Sequence, residues 1–475
     1  MASKNISFDQ IPASIRKPGK YFEFNTKLAV RTLPANKQSM LIIGQRLTAG
    51  TVAQLIPTRV FSDAEAATYF GAGSIAHLMA RAAIKANAYL DLTVCALDDS
   101  ASAPVARVQT LAITGPASGS GTLTLYVGNA RYQIGIASAE TATEIGTALK
   151  AALDNDPALP FTTVHTTGTI VFTAKNKGAV AGQIDFEIII TAAGVTATNT
   201  ATTPGSVDPT LATALAAVYA SDYDIVAVPF DDATSLTALK THLDGISGPM
   251  EQRPCVGVFG YDGVLATLTT LTTTTVNSGR ILCAYVRGTR SPAYEIGAAM
   301  AAIMAFEEDP ARPLNTLALA NIAAPPIPQR FSRTEQETLL YNGVTPIEVG
   351  PGEVCQIVRA VSTYIHDAQG IDDVSLLDIT TIRTLDYVRL AIRTRIALRF
   401  PREKLSSKTP EAVRDQIMDV LYQLQDLEIV EEVEANAAGV ICERDLQDVN
   451  RLNAKIPTDV VNGLHVFAGR IDLLL

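Results

Sequence analysis

Between Ser39 and Phe306 the chain alternates short, continuous apolar runs with longer segments whose apolar residues recur every three or four positions. The short runs lie at 40–43, 90–97, 224–228, 255–259 and 281–286, and each is the length of a strand buried on both faces. The longer segments, at 63–86, 209–220, 235–243, 264–275 and 292–306, have helical spacing, with Ser62 placed as the N-cap of the first. Apolar strands alternating with helices predict a largely parallel sheet covered on both faces. The series breaks at 99–206, a stretch rich in Thr, Ala, Ser and Gly. Strand-like runs there (122–127, 132–136, 169–173, 184–191) and a short helix (142–153) are punctuated by glycines. It reads as an inserted mainly-β domain, returning to the next helix through the polar hinge Thr-Ala-Thr-Asn-Thr-Ala-Thr-Thr-Pro at 196–204.

After a proline-rich linker the pattern changes. Segments 347–349 and 354–363 flank Gly350-Pro351-Gly352 and predict a β-hairpin. A long helix follows the Asp-rich turn at 372–373, with Leu385, Val388, Ile392 and Ile396 as its apolar stripe. Arg389 and Arg393 form one ridge beside that stripe, and Arg395, Arg399 and Arg402 another. These arginines offer a basic face to an acidic partner, or pair internally with Asp386 or the acidic residues at 428–434. A second helix spans 410–425. At the end of the chain Phe467, Gly469, Ile471, Leu473 and Leu475 alternate with residues that include Arg470 and Asp472. Such alternation describes a strand with one greasy face, whose backbone groups need a partner. The first 38 residues form an extended arm, kept from helix by Pro12, Pro18 and Pro34. Its apolar positions include Ile6, Phe8, Ile11, Tyr21 and Phe22.

The fold class read from this pattern is α/β plus a β-rich insertion. An α/β sheet domain (39–98 and 207–313) carries an inserted β-rich domain (99–206). An α+β C-terminal domain (314–459) follows, with extended arms at 1–38 and 460–475. Composition fits packed domains: of 475 residues 47% are hydrophobic and 18% charged. A formal charge of −10 argues against nucleic-acid binding. The five cysteines are widely spaced in apolar runs, which excludes a CxxC site and reads as reduced thiols in a reducing compartment. The first residues have no apolar core of a signal peptide, and the run 296–306 is too short to cross a membrane.

The alternating strands and helices invite a nucleotide-using enzyme with the insertion as a lid, but the loops lack its chemistry. Gly44 to Gly50 lacks the dinucleotide spacing, and Gly115 to Gly121 lacks the Lys-Ser/Thr of a phosphate loop. The five histidines are scattered, and neither an HExxH nor a GxSxG motif occurs. His366-Asp367 with Asp372-Asp373 is a polar constellation that reads as an ion site or as a loop capping the long helix. No catalytic, cofactor or metal residues are assigned.

Several short motifs share one resemblance. The opening stretch 6–24 contains Pro18-Gly19-Lys20-Tyr21, similar to a Pro-Gly-x-Tyr element, with Lys20 where many relatives are apolar. Leu-Ile-Ile-Gly-Gln (41–45), Phe-Gly-Ala-Gly-Ser (70–74) and Thr-Ala-Lys-Asn-Lys-Gly (173–178) follow in order. Arg-Ala-Val-Ser-Thr-Tyr (359–364), Asp-Ile-Thr-Thr (378–381) and Leu-Asp-Tyr-Val-Arg (385–389) complete the set. The chain thereby resembles the tail sheath proteins of contractile phage tails, most closely the Mu-like branch. That resemblance implies a virion subunit, assembled in the host cytoplasm, that stacks as hexameric rings around a tail tube and contracts to drive the tube through the host envelope. It implies arms that add strands to neighbouring subunits, a C-terminal domain against the tube and an insertion facing outward. The implied partners are further copies of the chain, the tube protein, and baseplate and tail terminator proteins, with no cofactor, nucleic acid or membrane insertion. Arg389, Arg393, Arg395 and Arg399 become candidates for the tube-facing surface. A tube or capsid subunit is the remaining virion alternative.

Overall fold

The computed structural model describes residues 16–22 and 33–474. The chain forms two compact units. The larger comprises Asn36–Tyr387 with Glu428–Glu431 and the described residues from Thr458 on, and the smaller comprises Val388–Leu427 and Glu432–Pro457 with the described residues up to Ala35.

An eight-stranded sheet organises the larger unit, in the order Val354–Ile357, Thr345–Gly350, Ile281–Tyr285, Val256–Tyr261, Ile225–Val228, Ser39–Gln45, Asp91–Leu97, Thr58–Val60. Interior neighbours pair in parallel, and each edge carries one antiparallel strand. All five predicted strands are present. Ile225–Val228, Val256–Tyr261 and Ile281–Tyr285 are buried at every position, as strands covered on both faces must be. Helix Ala293–Phe306 lies on the sheet so closely that a Cβ on Gly260 would stand 1.8 Å from the Ala293 carbonyl oxygen. Only glycine permits that approach.

Three expectations change. The helix predicted at 63–86 is two helices, Asp63–Phe70 and Ile75–Ala86, because Gly71 and Gly73 take φ of 88° and 80° between them. Ser62 caps the first as predicted, and Ser74 caps the second. The predicted hairpin forms as Thr345–Gly350 and Val354–Ile357, but its first strand extends the parallel sheet. A domain boundary at 314 therefore falls inside the sheet, which ends at Ile357.

The third change concerns the insertion. It holds a four-stranded antiparallel sheet (Thr196–Thr203, Val108–Thr114, Thr169–Ala174, Phe161–Thr166) and a three-stranded one (Ala130–Ile136, Gly121–Val127, Phe186–Ile190). Helix Ala142–Asp154 opens on a Thr141/Glu144 capping box. The segment expected to be a hinge is thus an edge strand. Threonine is β-branched and suits a strand, and outward hydroxyls pair across it: Thr114 with Thr196 at 2.6 Å and Thr110 with Thr202 at 2.8 Å.

The insertion is also fastened to the sheet it leaves. Asn176 accepts from the Ile75 amide (3.1 Å) and donates to the Arg46 carbonyl (2.9 Å) and to Asp99 (3.1 Å). Gln45, fully buried, donates to Asp99 and to the Lys177 carbonyl. On another side Asn129 donates to Glu295 and accepts from Ser291.

The smaller unit contains residues 388–399 of helix Ile379–Arg399, helix Thr409–Asp426 and the two-stranded sheet Ile441–Arg444 with Leu452–Lys455. Val413, Ile417, Val420, Leu421 and Leu424 supply the buried face of the second helix.

Candidate functional site

The candidate surfaces are the two ends of the chain and the arginine helix. Ile6, Phe8, Ile11 and Leu475 lie outside the described residues. Of the N-terminal candidates that are described, Tyr21 donates its hydroxyl to the Lys17 carbonyl at 3.0 Å and is 41% exposed, while Phe22 is 87% exposed.

At the other end the backbone is held up to a definite point. Asp459–Val460 pairs antiparallel with Val430–Glu431, and the Val461 amide donates to the Ile429 carbonyl. Beyond that, residues 462–474 form no strand with any of the described residues. Phe467 is 88% exposed, Ile471 99% and Leu473 83%, so the alternating apolar face is uncovered. The intervening face is uncovered too, with Leu474 also exposed. His465 is the exception: its ring is 14% exposed, Nδ1 lies 2.9 Å from the Asn315 amide nitrogen, and Nε2 lies 3.5 Å from Asp378. Arg359 grips the same carboxylate through two hydrogen bonds of 2.9 and 2.7 Å. Burial, then the Arg359 charge, push the His465 pKa down against the opposing pull of Asp378. Pattern reading had no means of finding this cluster, since the partners are far away in the sequence.

The arginine helix requires a correction. Its buried positions are Ile379, Thr380, Arg383, Thr384, Tyr387, Val388, Ala391 and Arg395, whereas Leu385 and Leu398 are 36% and 53% exposed. The inward face is rotated by about one residue from the expected stripe, and it carries Arg395 with it. That side chain, 4% exposed, pairs with Asp419 and approaches Gln423 Oε1 at 3.3 Å, both on helix Thr409–Asp426. Arg395 therefore belongs to the packing of the smaller unit and is withdrawn as a tube-facing candidate. Arg393 is exposed, and Arg389 and Arg399 are half-buried. Asp386, one of the internal partners considered, is held by Arg280 through contacts of 2.7 and 2.9 Å.

The polar constellation near His366 bonds largely to itself. Asp367 accepts from the amides of Gln369 and Ile371, Tyr364 donates to Asp373, and His366 Nδ1 lies 3.1 Å from Asp372. Among the described residues no group of three or more His, Cys, Asp or Glu is placed to hold a metal, and no helix is long and apolar enough to cross a membrane.

The chain and its fold have relatives. The family model of the phage tail sheath protein central domain matches residues 199–363, and that of the phage tail sheath C-terminal domain matches 372–473. A Mu-like prophage tail sheath protein of Haemophilus influenzae is 30% identical over 99% of this chain and all of its own length. The chain belongs to the phage tail sheath family. It is a structural component of a phage tail, which removes the enzyme reading and the tube or capsid alternative. Among solved structures, the crystal structure of a sheath tail protein from Desulfitobacterium hafniense is 14% identical with a TM-score of 0.52, covering 94% of this chain and 97% of that one. A sheath complex of an extracellular contractile injection system in its contracted state is 11% identical with a TM-score of 0.50, covering 97% and 98%. At such identities the likeness is one of fold. The two sheath domain models meet between 363 and 372, just beyond the last strand of the sheet.

Proposed function

We propose that copies of this chain stack as hexameric rings around a tail tube, joined by arms exchanged between neighbours. The sheath so built shortens and widens to drive the tube through the host envelope. The observation that carries this reading is the uncovered apolar face of Phe467, Ile471 and Leu473 on a segment with no strand partner among the described residues, in a protein of the sheath family. Strand addition to a neighbouring copy satisfies the backbone of such a segment and covers its side chains in one step. The first 38 residues act as the second arm. The partners are further copies of the chain, the tube protein, and the baseplate and tail terminator proteins, met in the host cytoplasm during assembly. Arg393 is the leading candidate for contact with the tube, with Arg389 and Arg399 beside it, and the insertion 99–206 faces outward.

Removing residues 1–20 or 466–475 from the full chain tests the reading. Each truncation should give a folded subunit that sediments as short or single species and shows no long sheaths in negative stain. Polymers of normal length from either one would overturn arm exchange for that end.

A further inference from the structure

The C-terminal segment is fastened at one side chain beyond its last backbone pairing. Leu464 is 80% exposed and Val466 77%, yet His465 between them is turned inward. The Asn315 amide nitrogen, donating at 2.9 Å, assigns Nδ1 as the acceptor and leaves the proton on Nε2, toward Asp378. Asp378 is itself immobilised by the two hydrogen bonds from Arg359. Two residues earlier the backbone passes close to Pro313, whose Cγ would stand 2.5 Å from a Cβ on Gly463. From Val466 to Leu474 the side chains point into solvent, and the ion pair there, Arg470 with Asp472, is local.

We propose that His465 is a positioning residue, the pin that fixes where the C-terminal arm departs from its own subunit. Residues up to 465 then stay with the larger unit, and only those from 466 onward engage a second copy of the chain. This rests on the arm reading above. A pinned root limits the conformations a free segment samples before it meets its neighbour, and so lowers the ordering cost of docking. It also fixes the reach of the arm, since nine or ten extended residues span about 30 Å. Without the pin the free segment would begin near Val461, longer by several residues and aimed less narrowly.

Two protease sites read the pin directly in the unassembled full-length subunit. Leu464, a chymotrypsin site, touches it, and Arg470, a trypsin site, lies beyond it. In the parent protein cleavage after Arg470 should be fast and cleavage after Leu464 slow. His465→Ala and, independently, Asn315→Ala should each speed the cut after Leu464 about tenfold, because cleavage follows the population of the open segment. The rate after Arg470 should not change. His465→Asn, whose Oδ1 replaces Nδ1 as acceptor, should restore slow cleavage. If the two rates keep their parent ratio in both alanine variants, His465 pins nothing. The arm reading is judged separately by sedimentation of the 466–475 truncation. Normal polymers there would refute arm exchange, while the protease ratio still decides the pin.

Discussion

Arg395 offers the sharpest test of how the smaller unit is built. Its guanidinium is nearly withdrawn from water and faces Asp419, a carboxylate 26% exposed, with Gln423 at its side. Losing one partner of a buried ion pair costs roughly 3–5 kcal/mol, because the other charge is left dehydrated. Two features reduce that figure here. Water reaches Asp419, and the Gln423 amide already donates to it at 3.1 Å. Arg395→Met keeps the packing of the stem and should cost about 2 kcal/mol; Arg395→Glu adds a like charge and should cost about 3–4 kcal/mol. At about 2–4 °C per kcal/mol, Arg395→Glu should lower the first thermal transition of the unassembled subunit by roughly 6–16 °C. Arg393→Glu, at an exposed position of the same helix where any pairing is screened by water, should cost no more than about 1 kcal/mol. Circular dichroism on both variants measures the contrast. The paired change Arg395→Met with Asp419→Leu should recover most of the loss, since apolar replacement of a whole buried pair is often neutral or stabilising. A subunit carrying Arg395→Glu that melts like the parent but no longer assembles would refute this account. Arg395 would then be a contact residue after all.

Two further predictions concern the larger unit. Burial first, and then the charge of neighbouring aspartates, raise Asp262 to about 7 and Asp231 to about 6. Both folded values lie above the unfolded one, so these two groups take up protons in the folded state first as pH falls, and their contribution to stability should rise from about pH 7.5 to pH 5. Asp262→Asn should remove most of that contribution and gain about 1–2 kcal/mol at pH 8, after allowance for partial exposure; a stability difference between parent and variant that does not change with pH would contradict it. Asn176→Ala removes three hydrogen bonds at the seam between sheet and insertion and should cost about 2 kcal/mol, with new proteolytic cuts near 99–107. An unchanged digestion pattern would mean that the seam is held elsewhere.

Much of the larger unit was legible because its strands are buried on both faces, so each appears as an unbroken apolar run of strand length. The edge strand Thr196–Thr203 was not, for the opposite reason. Its exposed hydroxyls imitate a linker, and the strand it pairs with, Val108–Thr114, lies far upstream. The break between the first two helices turns on Gly71 and Gly73, and a Cβ on Gly73 would stand 2.5 Å from the Leu159 carbonyl oxygen. That neighbour comes from the insertion, so the reason for the break is tertiary although the residues that permit it are local.

The candidate surfaces divide along the same line. The apolar positions at 467, 471 and 473 are visible in sequence because alternation is a local property, and they remain uncovered in the folded chain. The inward turn of Arg395 could not be read from its own helix. There an arginine on the stripe and one beside it differ by about one residue of rotation, and the deciding partner, Asp419, lies on the next helix. His465 is harder still, since Asn315, Arg359 and Asp378 converge on it only once the sheet and the long helix are in place. Periodicity therefore reports which faces are apolar, while long-range packing decides which of them are spent within the chain. What packing leaves uncovered beyond His465 is the surface that the proposed arm exchange would use, because a homopolymer joins its copies only through faces that its own folding leaves unsatisfied.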